Sequence, residues 1–512
     1  MSAVLDSRES SGQSTEDGAR RKVKFPQHER GGFMWGLRFP QFLVVILVIV
    51  SIVGLITVQQ LALALLWSII AVPIGVVAAI TWKGRPLMYR MWGAAKWRVR
   101  LALGETRWRT SEAPVPAGAL MLPGDVGARL TVHATELGGG IFYDARDQRA
   151  TAVVRCESQG WDLASDEDRS GRARAFGKLC KMVSRSTAVE RVVAMSRTIP
   201  SETTAARKAH DQVVKEREVV DPWGEDVMEA VFSGREFVDT EGKRRGPEDQ
   251  QVAVSRDTLL AISVSVPKAQ KQIRSYGGGL QGASEVLAAE VTRFRERVKD
   301  CGVTSSEWLT PAQLGDASRL AIDLDATEVL ARTVDDRDQD RFDLGTALLV
   351  DDADPDVLVT NGGVHSTWWI SEWPRTEVQL GFLQDLTCDG QYPSTVTQVF
   401  STEDTNTALR KINKTLDSVE SIFDLNRRLG RRTSILDRRA VPDLKDRENE
   451  LADGHVQVRV VGYERVSGKD RDELAVNEDA MHAAAPNLDL QRLKHLQWEG
   501  FVSSSLPVGW GM

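Results

Sequence analysis

Four aspartates lie within six residues of one another, at Asp351, Asp352, Asp354 and Asp356. Clustered carboxylates are ligands that divalent cations such as Mg²⁺ prefer, and a cation held there could bind the phosphates of a sugar nucleotide. The same residues suit a turn, because aspartate and proline in Asp354-Pro355-Asp356 are typical turn residues. We expect a turn, and we assign no catalytic, cofactor-binding or metal-binding residue from the sequence.

Motifs for nucleotide binding and for nucleophilic catalysis are absent from the sequence. No GxxxxGK[ST] loop occurs, and the glycine runs at 138–140 and 277–279 have no lysine after them, which is typical of flexible turns. Neither GxSxG nor HExxH is found. We therefore expect no enzymatic activity, no ATP hydrolysis and no cofactor.

The four cysteines are isolated in the sequence and form no CxxC pair. Cys156, Cys180, Cys301 and Cys388 are at least 24 residues apart. In a reducing cytosol such cysteines are usually buried, small and apolar, so we expect neither disulfides nor a zinc site.

Two apolar runs, at 39–58 and 61–82, dominate the amino-terminal part and are separated only by Gln59 and Gln60. Neither run contains a charged residue. At about 1.5 Å per helical residue, each covers roughly the 30 Å hydrocarbon core of a bilayer. The runs predict a transmembrane hairpin that is retained in the mature protein, since a signal peptide is shorter and is not followed at once by a second span.

Charged residues next to the runs predict the orientation of the hairpin. The first 100 residues carry 13 Lys or Arg and 5 Asp or Glu, with the basic residues on both outer flanks and none in the turn. Because such flanks stay in the cytoplasm, we expect a cytoplasmic-membrane protein with both termini cytoplasmic. Anionic lipid headgroups would bind these flanks. Interfacial aromatics are expected at Trp35, Trp82, Trp92 and Trp97.

The rest of the chain is acidic, with 52 Lys or Arg against 67 Asp or Glu. We expect this body to lie away from the anionic lipid and not to bind nucleic acid directly, since phosphate contacts need a surplus of cations. A basic strip occurs at Arg427, Arg428, Arg431 and Arg432 and fits a solvated helix face.

The apolar patterns predict an α+β body behind the hairpin. We divide the chain into a disordered cytoplasmic tail (1–30), the hairpin with its basic flanks (31–100), and two cytosolic α+β domains (101–330 and 331–512). Strands are predicted at 150–156, 189–198, 258–266, 364–371, 395–400 and 455–463, and helices at 169–184, 203–232, 283–301, 405–429, 434–451 and 469–485. Their irregular spacing favours small antiparallel or ferredoxin-like sheets.

The stretches 23–27 and 36–42, together with the hairpin, resemble the PrgI-type proteins, two-span inner-membrane subunits of type IV secretion and conjugation systems. At 122–124, 151–155, 197–200 and 368–374, the body resembles long actinobacterial membrane proteins that extend such a hairpin. At 456–463, 472–485, Gln497 and Leu506-Pro507-Val508-Gly509, it also resembles the amino-terminal domain of the conjugative traffic ATPase.

The resemblance implies a non-enzymatic scaffold of a type IV secretion or conjugation-like machine that docks a separate motor ATPase beside other membrane subunits. One alternative is an EccE-like component of a type VII secretion membrane complex, which would share two amino-terminal spans and a cytosolic body. Another is a membrane-anchored metal-dependent transferase that uses the aspartates at 351–356.

Overall fold

The computed structural model shows two long apolar helices followed by a folded body. It describes residues 22–23, 39–82, 85–109, 120, 122–158, 160, 164–200, 210–211, 214–215, 221–233, 236–238, 242–245, 254–323, 326, 349–374, 378–379, 381–388, 392–403, 405–428 and 435–511. Most of the predicted tail 1–30, about half of the helix expected at 203–232, and Arg431 and Arg432 lie outside these residues.

The helices follow the apolar periodicity of the sequence. Within the described residues they are α1 (Phe39–Thr57), α2 (Leu61–Ala79), α3 (Leu87–Ala102), α4 (Gly124–Arg129), α5 (Asp166–Arg185), α6 (Pro222–Ser233), α7 (Gln270–Ser275), α8 (Gly279–Asp300), α9 (Pro311–Ile322), α10 (Gln384–Thr387), α11 (Thr405–Arg428), α12 (Ile435–Ala452), α13 (Arg471–Ala484) and α14 (Gln497–Ser505). By length and composition, α1 and α2 could each cross a membrane.

The strands are rich in valine, isoleucine and threonine, which fit a pleated and partly buried surface. They are β1 (Lys22–Val23), β2 (Thr81–Trp82), β3 (Arg85–Pro86), β4 (Arg107–Arg109), β5 (Leu130–Ala134), β6 (Gly140–Asp144), β7 (Arg149–Ser158), β8 (Val189–Pro200), β9 (Phe237–Val238), β10 (Arg244–Arg245), β11 (Val254–Ser265), β12 (Val303–Trp308), β13 (Leu349–Asp351), β14 (Leu358–Thr360), β15 (Gly363–Glu372), β16 (Val378–Gln379), β17 (Ser394–Thr402), β18 (Val458–Gly468) and β19 (Asp489–Arg492).

Thirteen of these strands form one antiparallel sheet, which confirms the mixed helix and antiparallel-sheet class. The order is β4-β13-β14-β15-β18-β17-β8-β11-β7-β6-β5, with β12 beside β7 and β19 beside β15. The sheet is larger than the small sheets expected, because β8 and β17 pair along Arg191–Thr198 and 394–401. That pairing satisfies backbone groups that would otherwise form two open edges. It joins strands from both predicted domains, and the ferredoxin-like detail stays a prediction.

The two halves of the sheet repeat one connectivity. In the first half, one edge of β7 pairs with β11, and the other pairs with β6 and then with β12. In the second half, one edge of β15 pairs with β18, and the other pairs with β14 and then with β19. A helix follows each outer strand, α9 after β12 and α14 after β19. These two helices therefore occupy corresponding positions in the two halves.

Each face of the sheet carries its own apolar core. On one face, α9 and α14 pack over a cluster that includes Met195 and Tyr463 from the middle of the sheet. On the other face, α5, α7 and α8 cover the first half, and α10 and α13 cover the second. The helices α11 and α12 pack against each other through their own apolar side chains. Because helices cover both faces of the sheet, the central strands carry apolar residues on both sides.

The helix α2 ends at Ala79, three residues before the predicted limit of the second span at Trp82. The segments β2 and β3 form a small antiparallel hairpin there, with Thr81 paired to Pro86. Proline disfavours a helical conformation in the residue before it, which explains why the helix does not run through to α3.

Candidate functional site

The four aspartates of the sequence lie where α3 meets the body. They occupy the end of β13 and the turn that leads to β14. The N–H of Ala353 donates to the Asp351 carboxylate at 2.9 Å, and the N–H of Asp356 donates to the Asp354 carboxylate at 2.9 Å. Such bonds between a side chain and the backbone two residues on are those of Asx turns, and they fix the path of the turn.

Three of the aspartates pair with cations from three separate segments. Asp351 binds Arg107 of β4 at 3.0 Å, and Asp354 binds Arg471, the first residue of α13, at 2.6 Å. Asp356 binds Lys494, which follows β19, at 2.8 Å. All three cations are well exposed, so each pair contributes at most about 1 kcal/mol.

Asp352 is different because it is buried and bonded through both its backbone and its side chain. Its carboxylate accepts from Arg100 of α3 at 3.1 Å, and its carbonyl oxygen accepts from the indole N–H of Trp97 at 3.0 Å. Its own N–H donates to the carbonyl oxygen of Thr106 at 2.8 Å. Asp352 is 2 % exposed, so this one residue ties α3 and the segment after it to the sheet.

The electrostatics of Asp352 favour a proton near neutral pH. Burial raises the pKa of Asp352 to about 7, and the nearby carboxylate of Glu499 acts in the same direction. Arg100 and the backbone N–H of Trp498, in the first turn of α14, act in the opposite direction. Only one carboxylate oxygen is hydrogen-bonded, since Oδ1 is buried without a hydrogen-bond partner among the described residues. A carboxyl group so placed loses much of its hydration, which disfavours its charge.

Further contacts join α3 and the amino-terminal segment to the body. The ring of Trp97 meets the ring of His495 edge-on at 5.1 Å, and Arg90 donates to the side-chain oxygen of Gln491 at 3.0 Å. Ahead of the hairpin, β1 pairs with β16, which places both flanks of α1 and α2 on the body. We call the contacts of Trp97, Arg100 and Asp352 the anchor junction.

The aspartate turn at 351–356 suits mechanical connection better than metal binding. Each carboxylate of the turn has its own cation, and the cations come from β4, α3, α13 and the segment after β19. Among the residues that the structure describes, no three His, Cys, Asp or Glu side chains are grouped so that they could hold a metal ion.

The glycine run at 138–140 and three of the four cysteines are explained by close packing and burial. A Cβ on Gly139 would lie 2.4 Å from the Trp308 ring, and one on Gly140 would lie 2.7 Å from Leu314, so these glycines admit α9 close to the sheet. Burial raises the pKa of Cys156 and of Cys180 to about 12, and that of Cys301 to about 11. Thiols with raised pKa values are poor nucleophiles at neutral pH.

The Leu506-Pro507-Val508-Gly509 turn is buried on the body. The carbonyl oxygen of Gly509 accepts from Arg149 at 3.0 Å and from Arg191 at 2.7 Å. The indole N–H of Trp510 donates to Asp144 at 2.9 Å. These contacts fix this turn to β6, β7 and β8 of the first half.

A scan against protein-family models found no match for this chain. A search of curated proteins found none either. Function therefore has to be argued from the residues and from the geometry of the chain itself.

Proposed function

We propose that this chain is a non-enzymatic, membrane-anchored subunit of a type IV secretion or conjugation-like machine. Its body docks a separate motor ATPase at the cytoplasmic membrane, beside other membrane subunits. The observation that carries the proposal is the anchor junction, because two span-length helices continue into a helix that is ion-paired to a large, well-packed body. Confining a binding surface near a channel raises the local concentration of its partner without new contacts.

The packing of α1 against α2 supports placement in a bilayer. Ala64, Ala71 and Ala78 recur every seven residues on α2 and are buried, while most large apolar side chains of both helices are exposed. Small residues at the interface let membrane helices approach closely. The side chain of Gln41 donates to the carbonyl oxygen of Ala78 at 2.7 Å, which satisfies a polar group inside the pair.

The basic flanks support the orientation, with both termini in the cytoplasm. The pairing of β1 with β16 is compatible with it, since the residues before α1 reach the same body as the residues after α2. Reporter fusions at both termini should give cytoplasmic signals, and a reporter inserted between Gln59 and Gln60 should give an exterior signal. A cytoplasmic signal from that insertion would overturn the orientation.

The resemblance to type IV secretion subunits supports the choice of machine and partner. An EccE-like role in a type VII secretion complex is the second candidate, because the same hairpin and body would serve it. The transferase alternative is less well supported, since its four carboxylates are already paired with four different cations.

Co-purification tests the proposal directly. The full chain, tagged and extracted in detergent from its native membrane, should bring down a motor ATPase that lacks its own anchor, identified by mass spectrometry. A tagged two-span membrane protein of unrelated function is the control. Recovery of type VII components would favour the second candidate, and recovery of sugar-nucleotide enzymes would favour the transferase. The purified chain alone should neither bind nor hydrolyse ATP.

A further inference from the structure

The helix α3 has two sides of different character. Trp97 and Arg100 lie on the side that contacts the body. On another side, Trp92, Val99 and Leu103 follow one another at intervals of seven and four residues, with exposures of 72 %, 57 % and 67 %. Residues at these intervals share one stripe of a helix. The stripe therefore presents large apolar groups that the body leaves uncovered.

Exposed apolar groups are concentrated on this helix. Outside α1, α2 and the residue that follows each, the large apolar side chains that are exposed among the described residues number twelve, and six of them lie between Tyr89 and Leu103. The other six are scattered over the body. A concentrated apolar surface of this kind usually marks a site that contacts a membrane or another molecule.

The connection to α2 places the stripe at membrane level. Only seven residues separate the end of α2 from the start of α3, and they fold back on themselves through the β2–β3 hairpin. The N–H of Leu87 donates to the carbonyl oxygen of Ile80 at 2.9 Å, so α3 begins beside the end of α2. If α2 spans the bilayer, the first turn of α3 lies at the depth of the headgroups.

The charges beside the stripe match an anionic lipid surface. Lys96 shares the stripe with Trp92 and Val99, and Arg98 is also exposed, whereas the helix carries no acidic residue. Basic residues are attracted to the surface of an anionic leaflet. Tryptophan and tyrosine are the residues that settle at headgroup depth.

We propose that α3 is an interfacial helix that lies along the cytoplasmic leaflet, with Trp92, Val99 and Leu103 inserted among anionic lipids and its opposite side bound to the body. This inference rests on the membrane placement in the proposed function. It implies that the body is held against the bilayer by a helix rather than suspended from it. The occupant of the stripe is thus the lipid of the anchoring membrane and not a second protein.

Site-specific labelling of the full chain tests this placement. An environment-sensitive fluorophore is attached to a single new cysteine at Trp92→Cys in a background with Cys388→Ser, and the protein is reconstituted in nanodiscs. A lipid carrying a nitroxide near the headgroup should remove most of the emission at this position. Nanodiscs that contain phosphatidylglycerol should give stronger quenching than nanodiscs of phosphatidylcholine alone.

Two matched labels make each result decisive. Val476→Cys places the label on α13, where the native side chain is 67 % exposed, and it should be quenched by aqueous iodide and not by lipid nitroxide. Leu65→Cys places it on α2, where the side chain is 68 % exposed, and it should be quenched by nitroxide deep in the bilayer. Loss of quenching at position 65 would overturn the membrane placement itself.

The remaining outcomes concern α3 alone. Quenching at position 65 together with iodide access at position 92 equal to that at 476 would overturn the interfacial helix while leaving the anchor in place. Protection at position 92 from both quenchers would show that protein covers the stripe, and would also overturn it. Equal quenching in both lipid mixtures would overturn the preference for anionic lipid.

Discussion

The helices α9 and α14 occupy corresponding positions in the two halves of the sheet, but the N–H groups of their first turns are capped differently. Before α9, the hydroxyl of Thr310 accepts from the N–H of Gln313 at 3.3 Å, and the Gln313 side chain accepts from the N–H of Thr310 at 2.9 Å. This capping box lies within the helix's own sequence. Before α14, Leu496 offers no side-chain cap.

The first turn of α14 instead faces a residue of the anchor junction. The N–H of Trp498 lies close enough to the Asp352 carboxylate to lower its pKa, and that carboxylate is paired with Arg100 of α3. A carboxylate near a helix amino terminus is favourable because it meets unpaired N–H groups. The first turn of α9 is thus capped by its own sequence, whereas the first turn of α14 faces a carboxylate that is paired with the helix following the hairpin.

Buried arginines bind both helices beyond their first turns. The fully buried guanidinium of Arg197 donates to the carbonyl oxygen of Ala317 in α9 at 2.6 Å and to that of Ser505 in α14 at 2.7 Å. Arg465 donates to the carbonyl oxygen of Ala321. The difference between the halves therefore lies in how the helices begin and not in how they end.

The largest expected effect comes from removing the shared contact. Arg197→Met leaves the Ser505 carbonyl buried without this donor and removes a cation facing Asp257, so we expect a loss on the order of 3 kcal/mol in the free energy of unfolding. Denaturant unfolding of the full chain in detergent measures it. Arg155→Met removes the more exposed partner of Asp257 and should cost about 1 kcal/mol or less. Equal losses would contradict the shared role of Arg197.

A smaller effect is expected at the cap of α9. Thr310→Ala removes the hydroxyl of the capping box and should cost about 1 kcal/mol, with faster hydrogen exchange in the first turn of α9. Thr310→Ser keeps the hydroxyl and should leave both quantities nearly unchanged. Because this capping box involves no residue of α3, exchange in α3 should not change. A change in α3 would show that the halves are not independent in this way.

A further expected effect is a pH dependence at Asp352. Its pKa is raised in the folded protein from 3.8 to about 7, so the folded state binds a proton more tightly than the unfolded chain does. The stability that this proton supplies is present below pH 3.8 and is lost as the pH rises to about 7.

Asp352→Asn isolates this contribution, because the variant has no titratable group at that position. The melting temperature of the natural protein minus that of the variant should fall as the pH rises through this window. Other titrating groups change both proteins alike and cancel in the difference. A difference that stays constant would show that the pKa of Asp352 does not change on folding, and one that rises with pH would show that folding lowers it.

Local patterns made much of the fold predictable from the sequence. The expected strand at 150–156 is found as β7, and the helix at 169–184 as α5, because alternation and helical spacing of apolar residues report which side is buried. The helices at 405–429 and 434–451 are found as α11 and α12 within one residue at each limit. The helices α1 and α2 were predicted from the length of their uninterrupted apolar runs.

Long-range pairings could not be predicted in this way. Trp92 and Trp97 have the same character in the sequence, yet Trp92 is exposed and Trp97 donates to the backbone of Asp352, 255 residues further on. Arg100 and Asp352 are 252 residues apart, and the sequence around each residue gives no indication that the two form a pair. The pairing of β8 with β17 is also long-range, and the apolar pattern of one strand does not show which strand it pairs with.

The central claim is that the anchor junction stabilises the first turn of α14 in the second half of the body. Hydrogen exchange of the full chain in nanodiscs tests it, comparing Arg100→Gln with Arg107→Gln, which removes the exposed partner of the neighbouring Asp351. We expect Arg100→Gln to speed exchange in α3 and in the first turn of α14 while α9 is unchanged, and Arg107→Gln to change neither helix. Unchanged exchange at the start of α14, or an equal rise in α9, would contradict the account.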